Sequence, residues 1–170
     1  MTKLAIISDI HANSVALERV LATIDERGVD MTICTGDVVG YGPRPKECID
    51  LLREREIPCL LGNHDQYVTL LMDPRVDRLR EDIRVSVQWT QAQLPMDHLK
   101  WLAALPMRLE MEDLDFSFVH GAYGPHPWLY CSNSKAFAVN FAHQDVPLAF
   151  CGHSHRSEEH TSELQSPNTI

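Results

Sequence analysis

Along the first third of the chain, short apolar runs alternate with stretches whose apolar residues follow a helical period. Residues 3–8 and 31–35 are short apolar runs of the length of buried strands. Between them Leu17, Val20, Leu21 and Ile24 recur at i, i+3, i+4 and i+7, which places them on one helical face. Asn13 stands where it can cap that helix, and Gly28 where it can stop it. Residues 45–56 repeat the helical signal through Cys48, Leu51 and Leu52, with Pro45 at the start, and residues 57–61 supply a third strand. Strand, helix, strand in this order predicts a parallel α/β domain.

The pattern then changes. Leu79, Ile83 and Val87 step by four, so residues 77–93 read as one helix, and residues 96–105 as a second that Pro106 stops. After this helical insertion, residues 108–112 and 115–119 predict a hairpin around Asp113 and Leu114. A helix over 134–143 and a strand over 148–151 complete a second sheet. No repeat and no Gly, Ser or Pro-rich linker divides the chain.

With 170 residues and 44% hydrophobic content, a packed core is expected. The formal charge of −9, with no Lys or Arg cluster, argues against bulk nucleic-acid binding, which depends on counterion release. No apolar run has the roughly 20 residues of a membrane span. The five cysteines show no C-x-x-C spacing and lie mostly in apolar runs, so they read as reduced core thiols of a cytoplasmic protein.

Candidate chemistry lies at the ends of the strand-like runs, where open α/β sheets place their sites. Asp9 and His11 follow the first run as D-x-H, and Asp37 follows the second as G-D. Asn63, His64 and Asp65 follow the third as G-N-H-D. His120 follows a later run as V-H-G, and His153 and His155 follow the last as G-H-S-H. Any one of these is an ordinary turn or surface residue. Together they supply carboxylate, amide and imidazole groups that suit divalent Mn, Fe, Co or Zn. No cluster contains a Cys, which favours an open catalytic site over a closed structural zinc site. In G-H-S-H an extended backbone would send both imidazoles to one side and Ser154 to the other. Tyr41 and Arg44, just after Asp37, are candidate substrate contacts. The loop over 124–128, with two prolines and Trp128 near His120, is a candidate substrate-shaping loop. His98, His126 and His143 match no cluster and read as surface residues, while Trp89, Trp101 and Trp128 read as core or lid packing.

The ordered set D-x-H, G-D, G-N-H-D, H and G-H-x-H resembles that of the calcineurin-like metallophosphoesterases. Residues 36–43 and 60–65 are similar to its small bacterial phosphodiesterase-like branch, which in turn resembles diadenosine tetraphosphate hydrolases and serine/threonine phosphatases. The resemblance implies a four-layer α/β/β/α sandwich and two divalent metal ions. Asp9, His11 and His155 would hold one, Asn63, His120 and His153 the other, and Asp37 would bridge them. It further implies hydrolysis of a phosphodiester or phosphomonoester of a small molecule by a bridging hydroxide. His64 would be the general acid, with Asp65 orienting or charging its ring. The competing class is a non-catalytic scaffold for protein contacts on the same fold.

Residues 156–170 break with everything before them, having no helical or alternating period. They resemble the translated read-through of a sequencing-library adapter, which places the phosphoesterase domain at 1–155 and a non-native tail at 156–170. Without the tail's one Arg and three Glu the charge is −9 + 2 = −7. Members of the family continue past G-H-x-H with further strands, so the second sheet is expected to be truncated and an inactive fragment is a third reading. The pattern assigns no oligomeric state.

Overall fold

The computed structural model describes residues 2–111 and 115–155. The expected hairpin turn at Asp113 and Leu114 and the expected tail at 156–170 lie outside the described residues.

The first sheet is parallel. β1 (Leu4–Ile7) lies beside β2 (Met31–Cys34), with Leu4 opposite Met31 and Ile7 opposite Cys34. The crossover is α1 (Ser14–Glu26), whose first turn is capped by the Asn13 side chain accepting the Ala16 N–H at 3.1 Å. Gly28, with φ 58°, takes the left-handed conformation that turns the chain back toward β2. α2 (Pro45–Glu54) follows with its proline in the first turn, as its sequence predicts.

The predicted third strand is reduced to one parallel bridge, Cys34 with Cys59. Cys34 N–H donates to the Pro58 carbonyl and Leu60 N–H to the Cys34 carbonyl, both at 2.9 Å. Pro58 has no N–H to extend the ladder, and Leu61 N–H turns away to the Pro106 carbonyl at 2.8 Å.

The insertion contains α3 (Asn63–Thr69), α4 (Pro74–Asp77), α5 (Glu81–Gln93) and α6 (Met96–Ala103). The single helix expected over 77–93 is therefore divided, because Arg80 at ψ 143° is extended and restarts the helix at Glu81. α3 falls where no helix was expected.

In the second sheet, β3 (Arg108–Met111) is antiparallel to β4 (Phe116–Val119), and β4 is parallel to β5 (Leu148–Cys151). α7 (Ser134–His143) precedes β5 and is capped by Asn133. Two apolar clusters hold these elements. Leu17, Leu21, Ile49, Leu52 and Leu102 belong to the larger, which joins the helices to the first sheet. Ile33, Leu60 and Phe118, with Leu4, Leu109 and Phe150 against them, join the two sheets face to face. Phe118 is fully buried and stacks on Phe150 at 5.2 Å.

Three side chains lie otherwise than the sequence predicts. His98 is buried, not superficial, because its Nε2 lies 2.9 Å from the Asp50 carboxylate and so has a polar partner inside. Cys151, at the end of β5, is exposed, whereas Cys34, Cys48, Cys59 and Cys131 are buried. Trp89 is exposed on α5, while Trp101 packs against the larger core. Among the described residues no helix is long and apolar enough to cross a membrane.

Candidate metal centre

The loops that leave the strands are laced to one another before any side chain is considered. Asp9 N–H donates to the Gly36 carbonyl, His11 N–H to that of Asp37, and Ala12 N–H to that of Val38, at 2.9–3.0 Å. In the second sheet Gly152 N–H donates to the His120 carbonyl at 2.8 Å. His153 N–H donates to Asp9 Oδ2 at 2.9 Å, which joins the loop after β5 to the loop after β1. The ends of both sheets therefore meet at one place.

All seven residues predicted to hold metal come together there. Asp9, His11 and His155 present ligand atoms within 4.8 Å of one another, and so do Asp37, His120 and His153. Asn63 joins the second group, its Oδ1 lying 3.1 Å from His120 Nε2. Asp37 lies between the groups: its Oδ2 is 3.3 Å from His120 Nε2 and 3.8 Å from His11 Nε2. Its other oxygen accepts the His64 N–H at 2.8 Å.

Local backbone strain accompanies this convergence. Asp9, His11, Asp37, His153 and His155 all have φ between 47° and 65°, the left-handed region, at about 1–2 kcal/mol each. The extended geometry expected for G-H-S-H is thus replaced by a turn, and Ser154, expected to point away, lines the cleft with its neighbours. Gly62 shows why the glycine of G-N-H-D is needed, since a Cβ there would run into the carboxylate and backbone nitrogen of Asp37.

The imidazoles are oriented by carbonyl groups. His11 Nδ1 lies 3.2 Å from the Val39 carbonyl, His120 Nδ1 is 2.9 Å from that of Thr35, and His153 Nε2 is 3.1 Å from that of Trp128. A ring nitrogen against a carbonyl oxygen is the N–H, so in the neutral imidazole the opposite nitrogen carries the lone pair. Burial lowers the pKa of His120, but the Asp37 carboxylate beside its Nε2 more than offsets this and raises it. Burial lowers the pKa of His11 and His153, which keeps both neutral near pH 7. Burial opposes ionisation of Asp37, but the neighbouring His120, His64 and His11 hold its carboxyl below the ordinary range.

These lone pairs face other acceptors. His11 Nε2 and His155 Nε2 are 3.1 Å apart, Asp9 Oδ1 lies 3.4 Å from His155 Nε2, and that oxygen is buried without a hydrogen-bond partner. Nitrogen and oxygen ligand atoms converging this closely fit a cation, and the mixed set fits a divalent transition ion.

The remaining candidates divide. His64 lines the cleft, with its Nδ1 buried, unpartnered and packed so closely on Gly40 that a Cβ there would come within 2.8 Å. Burial pushes its pKa down to about 4. Asp65 does not touch that ring. Its oxygens accept the N–H groups of Val39 and Gly62, each at 3.0 Å, so it ties the Asp37 loop to the first turn of α3. Burial and the Asp37 charge raise its pKa to about 7. Tyr41 lines the cleft, whereas Arg44 is exposed at the start of α2 and is not among the lining residues. His126 and His143 are exposed, as expected. Trp128, in the loop after β4, packs edge-on against His120 at 5.9 Å. Sequence reasoning missed Tyr130, which stacks on His153; its only signal is an aromatic residue two positions beyond Trp128.

The chain belongs to the calcineurin-like phosphoesterase family, whose model matches residues 2–157. It is 36% identical over 155 residues to the uncharacterized protein MJ0912 of Methanocaldococcus jannaschii, a match covering 89% of this chain and 62% of that protein. A metallophosphoesterase from Sphaerobacter thermophilus superposes with a TM-score of 0.74 at 41% identity, over 89% of this chain and 60% of that one. The hypothetical protein PH1004 from Pyrococcus horikoshii OT3 shares the fold, with a TM-score of 0.71 at 18% identity over 91% of this chain and 70% of its own. The chain thus spans about three fifths of the first two relatives.

Proposed function

We propose that this protein hydrolyses a phosphomonoester or phosphodiester with the help of two divalent cations. One would be held by Asp9, His11 and His155, the other by Asn63, His120 and His153, with Asp37 shared. The observation that carries this reading is the set of carbonyl-oriented imidazoles that converge with carboxylate and amide oxygens in two adjoining groups. Such cations supply charge stabilisation to a phosphoryl group and acidify water.

The protein's own part is to fix those donors before substrate arrives. The backbone hydrogen bonds between their loops hold five of these residues, three imidazoles and two carboxylates, in strained left-handed conformations, so little reorganisation remains for the reaction. His64, which lines the cleft with Asp37 and Asn63, would serve as the general acid for the departing oxygen. Burial holds its pKa at about 4, so the ring rests neutral; it would take a proton from solvent as the anionic phosphoryl group enters, against the opposing charge of the cations, and pass that proton to the departing oxygen. Retention of every donor type favours this reading over a protein-contact scaffold.

The test is hydrolysis of p-nitrophenyl phosphate and bis(p-nitrophenyl) phosphate by metal-depleted and Mn²⁺-supplemented protein. Mn²⁺-dependent turnover that Asp37→Asn removes is the expected result. Absence of turnover, with no metal bound, would favour the scaffold.

A further inference from the structure

Two of the four tyrosines have no part in the core. Tyr67 packs against the larger apolar cluster and Tyr123 is buried, but Tyr41 and Tyr130 are 48% and 57% exposed. Both line the cleft at the metal centre. Tyr130 stacks on the His153 ring at 3.8 Å and 26°, which covers one of its faces. Tyr41 lies against His64 at 4.5 Å and edge-on to His11 at 4.9 Å.

Neither position is an accident of chain packing. Tyr41 has φ 59°, costly for an aromatic residue, and its N–H is fixed by the Ser86 hydroxyl of α5 at 2.6 Å. Tyr130 is held over the second half of the centre by the loop whose Trp128 contacts His120 and His153. The cleft has a volume of about 140 Å³, well below the roughly 300–1,000 Å³ of a site that swallows a drug-sized ligand. It has room for a phosphoryl group, and the rest of an ester would extend outside it, where Tyr41, Tyr130 and His155 are the exposed lining residues.

We propose that Tyr41 and Tyr130 select phosphoesters whose organic group is a planar aromatic or heteroaromatic ring seated against them. This rests on the phosphoesterase reading. Ring stacking rewards a planar partner beyond the area it buries, whereas a saturated ring of equal size gains only the burial.

The test is calorimetric binding of two non-hydrolysable ligands to the Mn²⁺-loaded protein, benzylphosphonate and cyclohexylmethylphosphonate. They share the charge and nearly the size and differ in planarity. The wild type should bind benzylphosphonate about fivefold more tightly. Tyr130→Leu should reduce that ratio and Tyr130→Phe should keep it, and adding Tyr41→Leu to Tyr130→Leu should bring it to one. Equal affinity in the wild type, or a ratio unchanged in the double variant, would overturn the proposal while leaving the phosphoesterase reading intact. If neither phosphonate nor inorganic phosphate binds, that reading fails and the selection fails with it.

Discussion

The carboxylate of Asp37 accepts the backbone N–H of His64 at 2.8 Å, so the residue lying between the two ligand groups is anchored on the first turn of α3. One oxygen is spent on that bond, and the other faces His120 and His11. Asp37→Asn retains an acceptor for the amide but removes the charge. Mn²⁺ at a hundred times its dissociation constant should stabilise the wild type by about 2.7 kcal/mol per site. That gain should be largely lost in the variant, as denaturant titration with and without the ion would show.

Gly40 has φ 95° and leaves no room for a methyl group beside His64 Nδ1. Gly40→Ala is expected to cost about 1–2 kcal/mol through its left-handed backbone. It should also push the His64 ring aside and lower kcat, with Mn²⁺ affinity unchanged. Unchanged kcat and unchanged stability together would contradict the assigned packing.

Burial raises the Asp50 carboxyl, and hydrogen bonds from Lys46 and His98 more than offset this, so it titrates below the ordinary carboxylate range. A depressed folded value stabilises the fold above the unfolded pKa of about 3.9, and the contribution disappears as pH falls through the folded value. Asp50→Ala also leaves buried His98 without that partner, at about 1–3 kcal/mol. Urea titrations of metal-free protein should show this deficit at pH 7, and it should shrink only at pH values below the ordinary carboxylate range, as pH falls through the folded value of Asp50.

Burial pushes the Cys48 thiol up to about 12. At pH 8 its reactive thiolate is about one part in ten thousand, and the side chain is inaccessible. Native protein treated with a maleimide should carry label at exposed Cys151 and none at Cys48, as peptide mass spectrometry would show. Equal labelling of the two would contradict the packing of α2.

Elements with a regular apolar period were legible from sequence: β1, α1 with its Asn13 cap, β2, and α2 with its leading proline. α3 was not, because its only buried apolar residue is Val68 and its start has no Ser, Thr or Asn cap. Its one local signal is Asp65 in the first turn, reaching back to the Gly62 N–H. His98 was misread because Asp50 lies 48 residues away, and a long-range partner leaves no local trace. The gathering of the seven donor residues could be anticipated because each follows an apolar run. The left-handed turns that aim them, and the attachment of Asp65 to Val39 instead of the His64 ring, depend on contacts between loops distant in sequence.

The central claim is that Asp37 joins two cation sites into one centre. Calorimetric titration of Mn²⁺ into metal-depleted protein tests it most directly, with Asp37→Asn alongside. The account predicts two ions per wild-type chain and a loss of affinity at both sites in the variant. That loss should exceed the roughly 10–100-fold caused by removing an outer partner of a ligand. No binding by the wild type, or two sites that the substitution leaves unchanged, would contradict it.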